Sequence, residues 1–357
     1  MRVRLPAGLH QGFLALGLVG LAACSNGGGG GSGGAGGGSA AGGAGGMAGA
    51  IAAAGGRAGG GAGGAAGGTA GTDAGNTEAG ADGGGDAGTI HGGVLVDFKE
   101  DHTAFLAAFF DGPLPPPAAL DVSQTQGGCQ LLVPRLFTCP AGCGISATCT
   151  GNNQCTPMPQ SVNAGTLQVR GLGGSDREAE PTAPTVLSYQ LVPTLPAPAC
   201  KAGDPVEVNA ATFKLATRCI DPLTLTSPPP IPVVSGQAMR LAWTAPSVAG
   251  ISRVHIELEI SHHGGFKGQI ECDVPDTGAF EIPEPLITAL IKLGRAGYPT
   301  VKVTRAAIAK AAAQPNVTLK VSSMVEREVD TGVISCGAAS SPPCPMGKTC
   351  QVDFTCQ

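Results

Sequence analysis

The densest group of side chains that could do chemistry lies between residues 254 and 263. Four apolar residues alternate there with polar ones: Val254, Ile256, Leu258 and Ile260. The polar residues between them are His255, Glu257 and Glu259, and a strand would place these on one face, about 6–7 Å between neighbours. His263 would join them if the strand ran that far. Imidazole and carboxylate groups bind divalent metals, so one interpretation is a metal-dependent hydrolase. The interpretation we favour is a solvated strand face, because a flat strand spreads its side chains apart.

Other signs of a chemical site are weaker. Asp273 and Asp276 follow in the next segment and could bind calcium, but aspartate is favoured in turns for its own hydrogen bonds, and we favour the turn. Trp243, the single tryptophan, falls at an inward position of its segment and indicates core rather than a carbohydrate platform. The predicted folded part contains no Gly-x-Ser-x-Gly elbow, His-Glu-x-x-His helix or phosphate loop. The sequence therefore predicts no catalytic residue and no cofactor.

Cysteine is the other residue type that could do chemistry. Apart from Cys24 there are twelve: Cys129, Cys139, Cys143, Cys149, Cys155, Cys200, Cys219, Cys272, Cys336, Cys344, Cys350 and Cys356. Eight form two short modules, Cys139–Cys155 and Cys336–Cys356, and Cys200 with Cys219 would close one further loop. An even set in an exported chain indicates disulfides, with zinc as the alternative. Four cysteines allow three pairings, so the pairing within each module stays open.

The elements that position these residues are mostly strands. Period-2 apolar runs bounded by Gly, Pro, Asp and Ser recur at Leu167–Val169, Val206–Val208, Met239–Trp243, Val301–Val303 and Val317–Val321. They predict an all-β protein of antiparallel β-sandwich domains, Ig-like or similar. One helix is predicted at Glu284–Leu293, with Pro285 at its start and Gly294 after its end. Residues 306–313 could also be helical because alanine costs little there, and residues 103–110 fit a strand or a helix.

The N-terminus has the three parts of an export signal. Arg2 and Arg4 precede a short apolar run, Phe13–Ala22, that is too short to span a membrane. The run ends in Leu21-Ala22-Ala23-Cys24, which resembles the lipobox of bacterial lipoproteins. That resemblance implies that Cys24 is acylated and becomes the new N-terminus, with an ordinary secretory signal as the alternative. Ser25, rather than aspartate, follows it, which favours the outer membrane as the address.

Composition and turn residues divide the chain into segments. Residues 27–93 are low-complexity glycine and alanine, which cannot bury enough surface to offset their ordering entropy and predict a disordered tether. The predicted segments are 1–23, signal peptide; 24–26, lipidated N-terminus; 27–93, tether; 94–227, first β domain with a cysteine-rich insert at 129–155; 228–335, second β-sandwich domain; and 336–357, C-terminal cysteine-rich module.

Four stretches together resemble a known group of proteins. They are the cysteine cluster, SVNAGTLQVRGL at Ser161–Leu172, LAWTAP at Leu241–Pro246 and IECDVPDTGAFEIPEPLITAL at Ile270–Leu290. In this order they are similar to cysteine-containing β-sandwich lipoproteins of unknown function found in myxobacteria. The resemblance covers most of residues 94–336. It implies a β-sandwich and a lipid anchor, and no activity or substrate.

Charge narrows the partners further. The net charge of −5 offers no electrostatic footprint for nucleic acid. We expect a non-enzymatic, lipid-anchored protein of the outer membrane that uses its tether to reach an envelope or extracellular protein or polysaccharide. A purely structural envelope subunit and the metal-dependent enzyme built on His255, Glu257, Glu259 and His263 are the alternatives.

Overall fold

The computed structural model describes residues 89–115, 119–140, 142–144, 146–181, 187–191, 193–261, 265–337 and 343–357. Cys24, the predicted tether up to residue 88 and His263 lie outside these described residues. The first nine strands are β1 His91–Phe98, β2 Thr103–Phe110, β3 Leu120–Gln126, β4 Cys129–Pro134, β5 Ala147–Gly151, β6 Gln154–Pro157, β7 Leu167–Arg170, β8 Arg177–Ala179 and β9 Ser188–Gln190. The remaining elements are β10 Pro205–Asn209, β11 Lys214–Arg218, β12 Ile231–Pro232, β13 Met239–Ala242, β14 Arg253–Glu259, β15 Gln269–Pro275, β16 Ala279–Ile282, α1 Glu284–Leu293, β17 Thr300–Lys310 and β18 Val317–Asp330.

A ten-stranded sheet organises the described part of the chain. Its order is β3-β4-β15-β14-β17-β18-β1-β2-β9, with β12 added beside β18. Neighbouring strands are antiparallel except at β18, which pairs in parallel with β1 and with β12. The longest strands, β18 with 14 residues and β17 with 11, are neighbours in the middle of this order. The all-β prediction is confirmed, and the parallel pairing of β1 is the feature that the sequence pattern did not show.

The first apolar core lies between this sheet and a four-stranded antiparallel sheet, β11-β10-β7-β8. Inward side chains of the two sheets alternate with outward polar ones, as in β7, where Leu167 and Val169 are buried and Gln168 and Arg170 are exposed. The ring of Phe109 packs between Tyr189, at a centroid distance of 5.6 Å, and Phe213, at 5.2 Å. This sandwich arrangement is what the alternating runs predict.

The second apolar core covers the other end of the same sheet. Inward residues of β4, β15, β14 and β17 pack there against α1 and against the two-stranded sheet formed by β13 and β16. Helix α1 has the predicted bounds, with Pro285 in its first turn and Gly294 at its C-terminus, and it buries Leu286, Ile287 and Leu290. The spacing of these three residues places them on one face of the helix, which is why the helix can close this core.

Residues on both sides of the predicted domain boundary lie in the same sheet. Strands from both sides of residues 227–233 belong to the ten-stranded sheet: β4 pairs with β15, and β1 pairs with β18. Strand β1 begins at His91, three residues before the predicted start of the first domain at Val94.

The prediction that residues 306–313 could be helical is wrong, because residues 306–310 continue β17. Pairing of each of these residues with β18 outweighs the low helical cost of alanine.

All twelve cysteines of the described residues form disulfides, six in number. Cys129 and Cys272 are directly paired residues of β4 and β15, and Cys200 bonds with Cys219 at the end of β11. Both four-cysteine modules pair first with third and second with fourth: Cys139–Cys149, Cys143–Cys155, Cys336–Cys350 and Cys344–Cys356. The prediction that these cysteines form disulfides is therefore confirmed.

Candidate functional site

The outer face of β14 carries the side chains singled out as possible metal ligands. His255, Glu257 and Glu259 are all half-buried and point away from the second core. His255 lies between Asp273 of β15 and Thr304 of β17 in the sheet register. Each polar residue therefore has a polar or charged neighbour on the strands to either side.

Glu257 is already engaged in an ion pair. Its Oε1 lies 3.2 Å from Nζ of Lys302, which is directly opposite on β17. Burial alone would lower the pKa of Lys302, but the charge and hydrogen bond of Glu257, with further contributions from Glu326 and Glu259, outweigh it and raise that pKa. His255 and Glu259 also have interaction partners. The lysine is therefore the cation that this acidic face holds.

Metal-ligand geometry does not form among the described residues of this face. Within the described ranges, the groups of three or more His, Cys, Asp or Glu side chains with ligand atoms close enough to share an ion are two cysteine trios. These are Cys139, Cys143, Cys149 and Cys336, Cys344, Cys350, and each of these cysteines is in a disulfide. His255, Glu257 and Glu259 are not brought together into such a group, and His263 lies outside the described residues.

A buried ion pair lies at the edge of the second core. The guanidinium of Arg305 has no exposed surface, and the carboxylate of Asp276 has 1%. Nε of Arg305 donates to Oδ2 of Asp276 at 2.6 Å, and Nη2 donates to Oδ1 at 3.1 Å. The same guanidinium donates to the carbonyl oxygens of Asp221, Pro222 and Thr244. Arg305 therefore ties β17 to two loop segments, at residues 221–222 and at Thr244, and to the turn that holds Asp276.

Asp276 is satisfied from two further directions. Nε1 of Trp243 donates to its Oδ1 at 2.8 Å, and the Ser252 hydroxyl donates to its Oδ2 at 2.6 Å. Burial would raise the pKa of Asp276, but the hydrogen bonds from Arg305, Ser252 and Trp243 and the guanidinium charge hold it below the ordinary value of 3.8. This carboxylate is thus ionised and fully bonded, which makes it a structural anion.

These contacts test the sequence-based interpretations of Trp243, Asp273 and Asp276. Trp243 is 3% exposed, so its ring packs in the core and is not a platform for sugars. Asp276 lies after β15, as the turn prediction requires, and belongs to the buried pair. For Asp273 the turn prediction is wrong, because this residue lies within β15, where it pairs at the surface with Nε of Arg253 at 2.9 Å. Both aspartates therefore have arginine partners, which turn preference alone did not suggest. Sequence reasoning missed Arg305, although its even spacing from Val301 and Val303 places it on the buried face.

The C-terminal cysteine module docks on the loop after α1. Gly297 N donates to the Asp353 carbonyl at 2.8 Å, and the rings of Tyr298 and Phe354 lie 6.2 Å apart between centroids. Phe354 has a φ of 59°, and Asn153, which also precedes the last cysteine of its module by two residues, has 56°. Asparagine tolerates this conformation, whereas phenylalanine rarely adopts it. The phenylalanine is therefore explained by its contact with Tyr298 and not by its turn.

Docking requires a glycine at position 297. A Cβ added there would lie 2.5 Å from Cβ of Phe354 and 2.6 Å from its carbonyl oxygen. We expect Gly297→Ala to cost about 1–3 kcal/mol through overpacking and to expose the module to protease. Thermal unfolding and limited proteolysis would measure both effects. Gly112→Ala is the matched control, because its added Cβ meets Pro159 at an ordinary 3.6 Å. Equal stability and protease resistance in the two variants would contradict the docking contact.

A surface pocket of about 340 Å³ lies between the end of α1 and this docked module. Its polar groups include Arg295 and Lys348, and Ile291 and Ile334 provide apolar walls. Nη1 of Arg295 donates to the Thr331 carbonyl at 2.6 Å, which fixes the guanidinium at the rim. No acidic side chain is among the residues that line it.

No protein-family model matches the chain, and no curated protein is significantly similar to it. Among the described residues, no helix is long and apolar enough to cross a membrane. The function must therefore be argued from the residues themselves.

Proposed function

We propose that the chain is a lipid-anchored lipoprotein of the bacterial outer membrane whose β-sheet body is a binding module without catalytic activity. The observation that carries this proposal is the number of cysteines that form disulfides. Of thirteen, twelve pair with one another, and Cys24 at the end of the lipobox-like segment is left over. Six disulfides fit an oxidising, extracytoplasmic compartment. The resemblance to myxobacterial β-sandwich lipoproteins points the same way.

The tether fits display of a body at some distance from its anchor. Residues 27–90, as a flexible coil that ends where β1 begins, would have a mean reach of roughly 40–48 Å. The partner that we propose is a protein or polysaccharide of the envelope or its surroundings, and the acidic surface argues against nucleic acid. Pull-down of envelope extracts and surface polymers with the purified chain tests this part. Absence of any retained protein or polysaccharide would remove the support for a binding module.

The anchor has its own test. In the native host, wild-type chain is expected to incorporate labelled palmitate and to fractionate with the outer membrane, because two or three acyl chains give stable anchoring. Cys24→Ala is expected to lose the label completely. Cys200→Ala with Cys219→Ala is the matched control, since those thiols form a disulfide and offer no acylation site. Palmitate retained by the Cys24 variant would refute the anchor.

A further inference from the structure

Exposed apolar side chains concentrate where the C-terminal module meets α1. Eleven large apolar side chains are exposed among the described residues, and four of them belong to this junction: Leu293, Ile334, Met346 and Val352. Met346 and Val352 are the two most exposed of the eleven, with essentially their whole side chains in solvent. Each lies in a turn of the disulfide module, so the crosslinked backbone holds it outward. A folded protein gains nothing in isolation from fixing these side chains in water.

Cations surround the same junction. Arg295 and Lys348 line the pocket of about 340 Å³, and Ile334 shares it. Nζ of Lys267 lies 3.3 Å from the Arg295 carbonyl oxygen, which places a third cation beside them. Lys292, in the last turn of α1, is a fourth. A local excess of positive charge in a chain of net charge −5 indicates an anionic partner.

Lys267 has an acidic neighbour in Asp353, whose pKa is lowered first by the hydrogen bonds of Thr355 and also by the lysine charge. Asp353 accepts hydrogen bonds from the amide and hydroxyl of Thr355, and Asp330 accepts one from the Gly332 amide. Neither Arg295 nor Lys348 has a carboxylate within 4 Å in the part of the chain that the structure describes. Their charges are available to a ligand.

We infer that this junction is a membrane-contacting surface that takes the phosphate headgroup of an anionic phospholipid between Arg295 and Lys348 while Met346 and Val352 enter the interface. Cations around projecting apolar side chains match a lipid surface, where headgroup charge and acyl chains are layered in the same order. Both Arg295 and Lys348 line the pocket, and their charges are opposite to that of a headgroup phosphate. A polysaccharide partner would use the charge but would leave both fully exposed side chains unexplained.

This surface deepens the proposed lipoprotein function and rests on it only for the biological context. A lipid anchor keeps the body near a membrane, so even weak contact by the junction would be populated through effective concentration. The contact can be measured without the anchor. The chain from residue 24 onward carrying Cys24→Ser, which has neither the predicted signal peptide nor an acylation site, separates the two proposals.

Co-sedimentation with phosphatidylcholine vesicles, with and without phosphatidylglycerol, provides the test. This unlipidated chain is expected to bind the phosphatidylglycerol vesicles and to bind pure phosphatidylcholine vesicles far less. Its binding should weaken as added salt screens the charges. Arg295→Gln with Lys348→Gln should reduce binding about fivefold for each charge removed. Met346→Ser with Val352→Ser should reduce it roughly tenfold through lost apolar burial.

The matched control is Lys201→Gln with Leu136→Ser. It removes one exposed cation and a side chain that is 86% exposed, both outside the junction, and it should bind like the parent. Circular dichroism of each variant confirms the fold. Failure to bind either vesicle at low salt, equal binding to both vesicles, or equal loss in control and junction variants would overturn the inference. None of these outcomes bears on palmitate labelling at Cys24, which tests the anchor alone.

Discussion

Replacing Asp276 with alanine is expected to lower the free energy of unfolding by about 3–5 kcal/mol, one of the largest effects available in this chain. The guanidinium of Arg305 has no exposed surface and would keep its charge in a site with no counter-charge. Trp243 Nε1 and the Ser252 hydroxyl would lose their acceptor at the same time. Urea unfolding followed by circular dichroism, with the disulfides intact, measures the change.

Two controls separate this buried pair from ordinary salt bridges. Asp273→Ala breaks the Arg253 pair only three positions away, but both partners are largely exposed, so the cost should stay below about 1 kcal/mol. Arg305→Met combined with Asp276→Leu removes both charges and should cost less than Asp276→Ala alone. A double variant as unstable as the sum of the two single variants would show that the charges are not what matters.

The contribution of the Arg305–Asp276 pair to stability should decrease in acid. The pKa of Asp276 is lower in the folded chain than its ordinary value of 3.8, so the folded state favours the ionised form. The resulting stabilisation is fully present above that ordinary pKa and is lost as the pH falls through the depressed one. Asp276→Ala should therefore lose most stability near neutral pH and approach the parent in acid. A stability difference that stays constant from neutral pH into strong acid would contradict this assignment.

The second large effect is expected from the disulfide between β4 and β15. Cys129 and Cys272 are 143 residues apart, so their bond removes much entropy from the unfolded chain. In the chain-entropy model, Cys129→Ala with Cys272→Ala should lower the free energy of unfolding by about 4–5 kcal/mol. Cys129 and Cys272 are 0% and 1% exposed, so the loss of their packed sulfur atoms should lower the free energy of unfolding further. Thermal unfolding of the double variant against the parent measures it.

A shorter loop supplies the comparison. Cys139 and Cys149 are separated by 10 residues, and removing both should cost about 3 kcal/mol in the same model. That damage should also stay local, because the module lies outside both apolar cores. A larger loss for the short loop than for the long one would refute the entropic account of these crosslinks.

Local patterns were sufficient to predict most elements of this fold. Alternation of Val254, Ile256 and Leu258 predicted β14, since a half-buried strand requires a period of two. Helix α1 was predicted with its observed bounds because proline and glycine mark its two ends. The grouping of the cysteines followed from their spacing, and the structure adds the shared pairing of first with third and second with fourth.

Non-local contacts account for the features that were not predicted. Parallel pairing of β1 with β18 joins residues more than 200 positions apart, and no local pattern encodes that choice. Residues 306–310 carry alanine, which suits a helix, but their neighbours on β18 make them strand. Arg305 lies in an apolar phase, and only the position of Asp276 explains why a charge can be buried there. Alternation predicted that His255, Glu257 and Glu259 share one strand face, while the contact of Glu257 with Lys302 depends on β17.

The position of β1 determines how the folded body would bear a pull from the proposed N-terminal anchor. Strand β1 follows directly after the N-terminal segment and is paired over seven residues with β18 on one side and over eight residues with β2 on the other. Traction along the axis of β1 would strain both ladders in shear, so many hydrogen bonds would share the force and none would open alone. A strand at the sheet edge would have offered a single ladder. The interior placement of β1 therefore makes the attachment point mechanically strong.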